Sequence, residues 1–231
     1  MASATRTSNM GELFPDLLAQ SEVVILDFSQ IPDDLPDYKN IKQFFARCEA
    51  EGVNPRLAEQ RQKFNDNFLH QSGKRYLIGR YGEDRIAMLK GSKIAQEGRS
   101  IHLGLDIFTQ DLEPLYAPCD GEVVDVGRQK GSFTFGYYLI FKPSNPLIKE
   151  YIFLGHLSRK LPPLGKVTAG DQIATLGDYV EGENGGWSRH VHVQLLTHLP
   201  EPGTQPRGYS TKQDMDRYLT EFPDPTPIIL K

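Results

Sequence analysis

Residues 182–196 read GENGGWSRHVHVQLL, a glycine-rich loop followed by an alternating run. Valine follows each of its two histidines, His190 and His192, and β-branched residues of this kind favour a strand. Residues i and i+2 of a strand point to the same face, so both imidazoles would project side by side, with Gln194 next in the row. The glycines ahead of them suit a loop that leads into a cleft. The pattern therefore predicts a strand that presents two potential metal ligands on one surface.

Short β-type runs recur through the second two-thirds of the chain. They lie at residues 105–108, 121–126, 137–141, 151–154, 172–176 and 190–196. Clusters of Pro, Gly, Asp and Asn separate them, as expected for turns. Many short strands at such intervals are typical of an antiparallel sheet packed into a sandwich or a partial barrel. The predicted fold class is therefore mainly β, and α+β overall once a small helical N-terminal segment is included.

Local patterns around these strands give further expectations. Apolar runs at residues 76–78 and 85–89 flank YGED at 81–84, which predicts a hairpin. Beyond this hairpin the pattern indicates a helix only weakly, at residues 212–219. The tail, residues 222–229, holds three prolines and is predicted to be an extended strap.

Residues 1–72 differ from the rest of the chain and show helical periodicity. A short apolar strand at 23–28 precedes two segments for which Asp37 and Asn54 are plausible N-caps. The apolar positions that would form the buried faces are Ile41, Phe44, Phe45 and Cys48 in the first helix, and Leu57, Phe64 and Phe68 in the second. We predict a helical cap that packs on a domain spanning residues 73–231. The alternative is an inhibitory or substrate-gating segment that covers the cleft.

Composition limits the class of protein and of partner. The chain has 231 residues, a formal charge of −4 and a pI of about 5.9, so no basic surface for nucleic acid is indicated. No apolar run approaches the roughly 20 residues that cross a bilayer, which predicts no membrane span. Cys48 and Cys119 are too few for a disulfide framework. Since no secretory signal pattern is visible, we expect a cytoplasmic protein, unless a leader has been removed from this sequence.

A second candidate pair is His102 and Asp106, four residues apart with Gly104 between them. The glycine would let a loop bend so that the imidazole and the carboxylate converge. With one histidine of the His-Val-His strand they would give three protein ligands and leave a fourth position for water, which is the pattern of catalytic zinc sites. His156 follows a separate strand and could reach the same cleft, although a single histidine is usually structural. The remaining histidines, which have no such context and are expected to face solvent, are His70 and His198.

Six motifs between residues 75 and 200 agree in order and spacing with those of one known family. They are His-x-x-x-Asp at 102–106, YAPCDGEVVDVG at 116–127, GYYLIF at 136–141, GHLS at 155–158, VTAGDQIATLGD at 167–178 and HVHVQL at 190–195. In these motifs the chain resembles the lysostaphin/LytM-like zinc metallopeptidases, which cleave peptide bonds in bacterial cell-wall peptidoglycan. The segments RYGEDR, IHLGLDIF and GENGGW are similar to those of a subgroup of this family that is fused to phosphotransferase and aminotransferase domains. That similarity implies a metabolic setting and a functional link to such enzymes.

The resemblance assigns roles to five residues. It implies that His102, Asp106 and His192 bind one zinc ion per chain. It also implies that His156 and His190 are active-site histidines that do not bind the metal. In the implied mechanism, zinc polarises the scissile carbonyl and supplies a hydroxide. One of the two histidines would take the proton of the water, and the other would stabilise the oxyanion or protonate the leaving amine. Which of them takes which role stays open.

Three further residues are predicted to contact the substrate or to support the histidines. The tyrosine that some family members place shortly before the first ligand is absent, and Arg99, or a tyrosine from elsewhere, is expected to take its place. Gln194 stands where a glutamate is common, and it is expected to orient His190. Trp187, in the loop before the His-Val-His strand, is the third.

These observations leave three functions open. The first is a zinc-dependent endopeptidase or amidase that acts on peptide or peptidoglycan-fragment substrates. The second is a cytosolic zinc amide hydrolase for a small peptide-like or phospho-amino metabolite. The third is a non-catalytic module that keeps the fold and binds a partner. Retention of all five site residues favours an enzyme over the third function.

Overall fold

The chain folds around one large β-sheet. The computed structural model describes residues 13–14, 22–26, 50, 52, 58–89, 92–201 and 204–230. The strands of these residues are β1 (Val23–Leu26), β2 (Tyr76–Gly79), β3 (Ile101–His102), β4 (Leu105–Phe108), β5 (Pro114–Tyr116), β6 (Gly121–Arg128), β7 (Tyr137–Pro143), β8 (Tyr151–Leu157), β9 (Gly165–Val167), β10 (Gln172–Thr175), β11 (His190–Leu196) and β12 (Tyr209–Ser210). Their helices are α1 (Ala58–Ser72), α2 (Ile86–Leu89), α3 (Lys93–Gln96), α4 (Glu181–Asn184), α5 (Met215–Glu221) and α6 (Thr226–Ile229).

Among the described residues the large sheet has eight strands, in the order β1-β2-β4-β11-β8-β7-β6-β9. Neighbouring strands run antiparallel, except that β1 is parallel to β2. Two small antiparallel sheets pair β5 with β10 and β3 with β12. The sheet is open, with β1 and β9 at its edges. β11 lies inside it, which places the His-Val-His motif between β4 and β8.

Both faces of the large sheet are covered by apolar side chains. Successive side chains of β7 enter different cores: Leu139 belongs to the main core and Ile140 to a second one. Ile173 of β10 joins the main core, so the small β5–β10 sheet packs on the large sheet as a sandwich. Tyr218 of α5 covers the opposite face. Strands buried on both sides keep β11 and the side chains that it carries in fixed positions.

The predicted fold class is confirmed, since the protein is mainly β and packs its sheets as a sandwich. All six predicted strands are present. β6, β7 and β8 extend beyond their predicted ends to Arg128, Pro143 and Leu157, and β10 ends at Thr175. The weak helical pattern near residue 215 corresponds to α5.

The predicted hairpin at residues 81–84 is wrong. β2 pairs with β1 and β4, and residues 86–89 form α2 instead of a returning strand. Asp84 Oδ1 accepts a hydrogen bond from the Ile86 N–H at 3.2 Å, which supports the start of this helix. The Arg85 side chain turns inward and reaches Asp106. The segment instead pairs with residues 100–102 through backbone hydrogen bonds and an antiparallel bridge, and the buried ion pair of Arg85 with Asp106 adds to this.

The predicted extended strap at residues 222–229 is also wrong in its last half. Thr226–Ile229 form α6, with proline in the first turn, where the missing N–H would have no helical partner in any case. Asp224 Oδ1 accepts a hydrogen bond from the Thr226 N–H at 2.8 Å. Ile229 is fully buried in the main core, and this burial stabilises the turn against an extended course.

The N-terminal part is described only in places. β1 adds to one edge of the sheet, and α1 packs Phe68 in a cluster with Leu77 of β2. The helix predicted after Asp37 lies outside the described residues. The division into residues 1–72 and 73–231 stays a prediction. No helix in the described part is both long and apolar enough to span a membrane.

Candidate metal centre and active site

The candidate site forms where β11 lies between β4 and β8. His192 lies opposite Asp106 in the β4–β11 ladder and opposite Gly155 in the β8–β11 ladder. His102 ends β3, two residues before Gly104. A Cβ atom on Gly104 would lie only 2.4 Å from His192 Cε1, so glycine is what allows the ring to occupy this position. The sequence predicted a bend at Gly104, and the structure adds a close contact between its backbone and a candidate ligand.

Three potential metal-ligand atoms, from the three strands β3, β4 and β11, converge at this point. His192 Nδ1 lies 2.9 Å from Asp106 Oδ1, His102 Nε2 lies 3.2 Å from His192 Nδ1, and His102 Nε2 lies 3.3 Å from Asp106 Oδ1. Zinc bonds of about 2.0–2.1 Å in a tetrahedral site require ligand atoms roughly 3.3 Å apart. Within the described residues, the three predicted ligands lie close enough together to hold one metal ion. The distances between their ligand atoms fit zinc.

Hydrogen bonds on the far side of each ligand ring fix which nitrogen can bind a metal. His102 Nδ1 donates to the Arg80 carbonyl at 2.9 Å, and His192 Nε2 donates to Gln194 Oε1 at 3.0 Å. The Gln194 side-chain NH₂ in turn donates to the Arg207 carbonyl at 3.1 Å, so its oxygen must face His192. The lone pairs left are those of His102 Nε2 and His192 Nδ1, the two nitrogens that converge with Asp106.

The two histidines predicted not to bind metal lie side by side at this centre. Their ring centroids are 4.2 Å apart, and His190 Nε2 is 3.8 Å from Asp106 Oδ1. His156 Nδ1 donates to the Asn184 carbonyl and His190 Nδ1 to the Ser188 carbonyl, each at 2.7 Å. Each ring therefore keeps an Nε2 lone pair that can accept a proton. His156 also has a φ of +63°, a left-handed backbone that is uncommon for a non-glycine residue.

Burial controls the protonation of the site. It lowers the pKa of His102 and that of His190 to about 4, and it holds the pKa of His156 well below 6.5. Burial also opposes ionisation of Asp106, but the charges of His102 and Arg85 outweigh it and keep the pKa of Asp106 well below 3.8. Near neutral pH these three histidines are neutral and the aspartate is ionised, as metal ligands and proton acceptors require.

Arg85 is a site residue that the sequence did not single out. Its side chain is 1% exposed, and its Nη1 donates to Asp106 Oδ2 at 2.5 Å. Its Nε donates to Glu83 Oε2 at 3.0 Å. Tyr209, whose hydroxyl lies 3.5 Å from Arg85 Nη1, packs its ring 5.4 Å from that of His102. The RYGEDR motif was the available indication, but its composition alone does not reveal an inward-facing arginine.

The three residues predicted to contact the substrate or the histidines lie in different surroundings. In the described part of the chain, Arg99 forms its ion pair with Glu97, through Nη2 at 2.5 Å. The Trp187 ring lies 6.1 Å from that of His156 and 6.4 Å from that of His190, at the side of the site. Gln194 contacts His192 and not His190, the partner expected from the sequence. The histidines expected to face solvent, which are exposed in the structure, are His70 and His198.

Side chains of α1 hold the segment that precedes β11. Gln62 Oε1 accepts a hydrogen bond from the Arg189 N–H at 2.5 Å, and Asn65 Nδ2 donates to Ser188 Oγ at 3.2 Å. The Ser188 carbonyl is the acceptor for His190 Nδ1. Two successive contacts therefore connect α1 with His190, one of the two histidines predicted not to bind metal.

The fold and the site define a class of protein: a mainly β chain with a His-Asp-His centre suited to one zinc ion. The model for Peptidase family M23 matches residues 100–202, somewhat less than half of the chain. This match supports a peptidase M23 domain over these residues, and with it a hydrolase of the lysostaphin/LytM-like type. The similarity to the fused subgroup stays a prediction. None of the curated proteins compared with the chain matches it.

Several solved structures are similar to part of the chain. A zinc-containing peptidase from Vibrio cholerae is 24% identical over 45% of this chain and 32% of its own, with a TM-score of 0.34. The catalytic domain of the antimicrobial peptidase lysostaphin from Staphylococcus simulans is 20% identical over 52% of this chain and 80% of its own, with a TM-score of 0.37. The catalytic domain of the prophage-encoded M23 protein EnpA from Enterococcus faecalis is 26% identical over 48% of this chain and 76% of its own, with a TM-score of 0.34. The chain thus spans less than a third of the Vibrio protein's length.

Proposed function

We propose that this protein is a zinc-dependent metallopeptidase that hydrolyses amide bonds of peptidoglycan-type peptides. The observation that carries the proposal is the convergence of His102 Nε2, Asp106 Oδ1 and His192 Nδ1 within 3.3 Å of one another. The match to Peptidase family M23 covers all three residues and supports the reaction class.

The chain's own residues divide the chemistry between holding the metal and moving protons. The fixed tautomers of His102 and His192 turn one lone pair of each ring toward the metal position. When bound, zinc would polarise the scissile carbonyl and lower the pKa of a bound water. His156 and His190, with Nδ1 committed to backbone carbonyls, offer Nε2 as proton acceptor and, once protonated, as donor to the leaving amine.

A second candidate is an amide hydrolase for a small peptide-like metabolite. The observation that favours it is burial, because none of the five site residues is more than 4% exposed. A crosslinked polymer needs an open cleft, whereas a small substrate can enter a nearly closed one. A small substrate would also agree with the metabolic setting implied by the similarity to the fused subgroup.

Metal analysis and substrate trials distinguish these functions. The purified protein is expected to hold one zinc per chain and to cleave crosslinked peptidoglycan fragments or short glycine and D-alanine peptides, detected by mass spectrometry. The matched control is Asp106→Asn, which keeps the side-chain shape but removes the ligand charge. Stoichiometric zinc without cleavage of any of these peptides would favour the metabolite hydrolase. Substoichiometric zinc that added zinc does not restore would favour a non-catalytic module.

A further inference from the structure

The segment with the sequence RYGEDR, residues 80–85, wraps around the first ligand. The Arg80 carbonyl accepts from His102 Nδ1 at 2.9 Å, and the Glu83 carbonyl accepts from the His102 backbone N–H at 2.9 Å. The Gly82 N–H donates to the His102 carbonyl at 2.8 Å. This segment precedes residue 100, where the family match begins, so it lies outside the matched domain.

The same segment grips the second ligand through a side chain. Arg85 is 1% exposed and lies between two carboxylates, with Nη1 at 2.5 Å from Asp106 Oδ2 and Nε at 3.0 Å from Glu83 Oε2. A guanidinium presents its N–H groups in a rigid planar fork, so one arginine can hold two acceptors in a fixed relation. A lysine in this place would offer a single flexible ammonium.

This arrangement divides the two oxygens of Asp106 between two tasks. Oδ2 faces Arg85, while Oδ1 faces His102 and His192. One oxygen is therefore available to a metal, and the carboxylate cannot rotate without breaking a buried charged hydrogen bond. Arg85, Glu83 and Asp106 together carry a net charge of −1, because one cation faces two anions.

We propose that Arg85 is a positioning residue for the metal centre. It holds Asp106 so that only Oδ1 binds the metal, and Glu83 holds Arg85 in that orientation. The inference rests on the proposed function, because it requires that the three candidate ligands bind a metal. Mutation of a residue that orients a metal ligand usually lowers the metal affinity by about 10- to 100-fold.

The test compares the parent chain with the double variant Glu83→Gln/Arg85→Met. The variant removes one positive and one negative charge, so the net charge beside the ligands is unchanged. It removes the contact of Arg85 with Asp106, together with the ion pair of Glu83 with the half-exposed Arg80. Zinc affinity is measured by competition with a chelator, and the visible absorption of the Co²⁺-substituted protein reports the coordination number. Arg217→Met is the matched control, because it removes an exposed arginine paired with Glu221 on α5.

We expect the double variant to bind zinc about 10- to 100-fold more weakly. Its Co²⁺ absorption should also weaken, because a freed carboxylate can bind through both oxygens and raise the coordination number. Parent-like affinity and spectrum in the folded double variant would overturn the inference. If circular dichroism shows that this variant does not fold, Arg85→Lys is measured instead. A lysine variant indistinguishable from the parent in affinity and spectrum would overturn the inference equally.

Failure of the proposed function gives a different result. If the parent chain itself binds neither Zn²⁺ nor Co²⁺, both proposals are overturned. If the parent binds metal stoichiometrically and the variants match it, only the role of Arg85 is overturned.

Discussion

Gln194 Oε1 accepts a hydrogen bond from His192 Nε2 at 3.0 Å, two residues along the same strand. The amide NH₂ of Gln194 is held by the Arg207 carbonyl, so the side chain joins β11 to the loop before β12. Where the family resemblance predicts a glutamate, this chain has an amide that is both acceptor and donor. The candidate ligand His192 is thus oriented by a neutral group that cannot rotate without breaking a buried hydrogen bond.

Replacing this amide should weaken metal binding. Gln194→Met keeps the approximate volume but removes the acceptor, so the His192 ring loses its fixed tautomer. We expect zinc affinity to fall about 10- to 100-fold, measured by chelator competition. Gln194→Glu keeps an acceptor but places a carboxylate against the Arg207 carbonyl, so its affinity should lie between those of the parent and Gln194→Met. Equal affinity in all three proteins would show that the hydrogen bond does not orient the ligand.

A methyl group at Gly104 should also displace the His192 ring. The Cβ atom of Gly104→Ala would lie 2.4 Å from His192 Cε1 and 2.8 Å from the Val193 carbonyl oxygen. We expect zinc affinity to drop about tenfold or more, with a loss of stability of roughly 1–3 kcal/mol. Gly182→Ala is the control, because its nearest neighbour is an Arg128 guanidinium nitrogen at 3.8 Å. A Gly104→Ala protein that binds zinc like this control would contradict the close contact.

The division between ligands and proton-transfer groups can be tested with two histidine variants. His192→Ala should lose zinc and activity together. His156→Ala should keep zinc but lose activity by about 100-fold or more, as expected when a general acid or base is removed. Zinc content and hydrolysis of the substrate found in the trials are measured in parallel, with exposed His70→Ala as the control. Zinc loss in His156→Ala with retention in His192→Ala would reverse the assignment.

Acid should destabilise the metal-free protein over a defined pH range. The pKa values of His102 and His190 are about 4 in the folded state, against an ordinary 6.5. Between these values the unfolded chain binds protons that the folded protein excludes, so the free energy of unfolding falls as the pH falls. This contribution is fully present above pH 6.5. The Tm of the chelator-treated protein should be lower by about 5 °C or more near pH 4 than above pH 6.5.

The pH dependence has its own control. His190→Gln should flatten the dependence of Tm on pH, because it removes one of the three buried histidines whose pKa lies below 6.5. His70→Gln, at an exposed position, should leave the dependence as in the parent. A Tm that stays constant or rises as the pH falls through this range would contradict the buried, neutral state of the two histidines.

Short β-type runs between turns were sufficient to predict six strands of the second two-thirds of the chain, and the alternation at 190–196 indicated the shared face of His190 and His192. The short strands β3, β5, β9 and β12 were not predicted. Strand pairing is a regular geometry, and its period of two is visible in the sequence. The ligand set needed the family resemblance as well. Spacing indicates that His102 and Asp106 can converge, but it does not reveal which histidine of the His-Val-His pair joins them.

What could not be predicted depends on contacts between distant residues. Arg85 lies in a segment that reads as a hairpin, but this segment pairs with residues 100–102, and the Arg85 side chain forms an ion pair with Asp106, 21 residues away. Ile229 lies in a proline-rich tail that reads as extended, and its burial in the main core favours a helical turn instead. Gln194 was expected to contact His190, but its Oε1 accepts a hydrogen bond from His192, two positions away on the same strand.

Asn65 of α1 holds Ser188, whose carbonyl fixes the tautomer of His190. A displacement of the helix by a few tenths of an ångström would move that carbonyl and change how readily the imidazole takes a proton. If the proposed function is correct, a partner bound to the outer surface of this helix would change the rate of hydrolysis without contacting His102, Asp106 or His192.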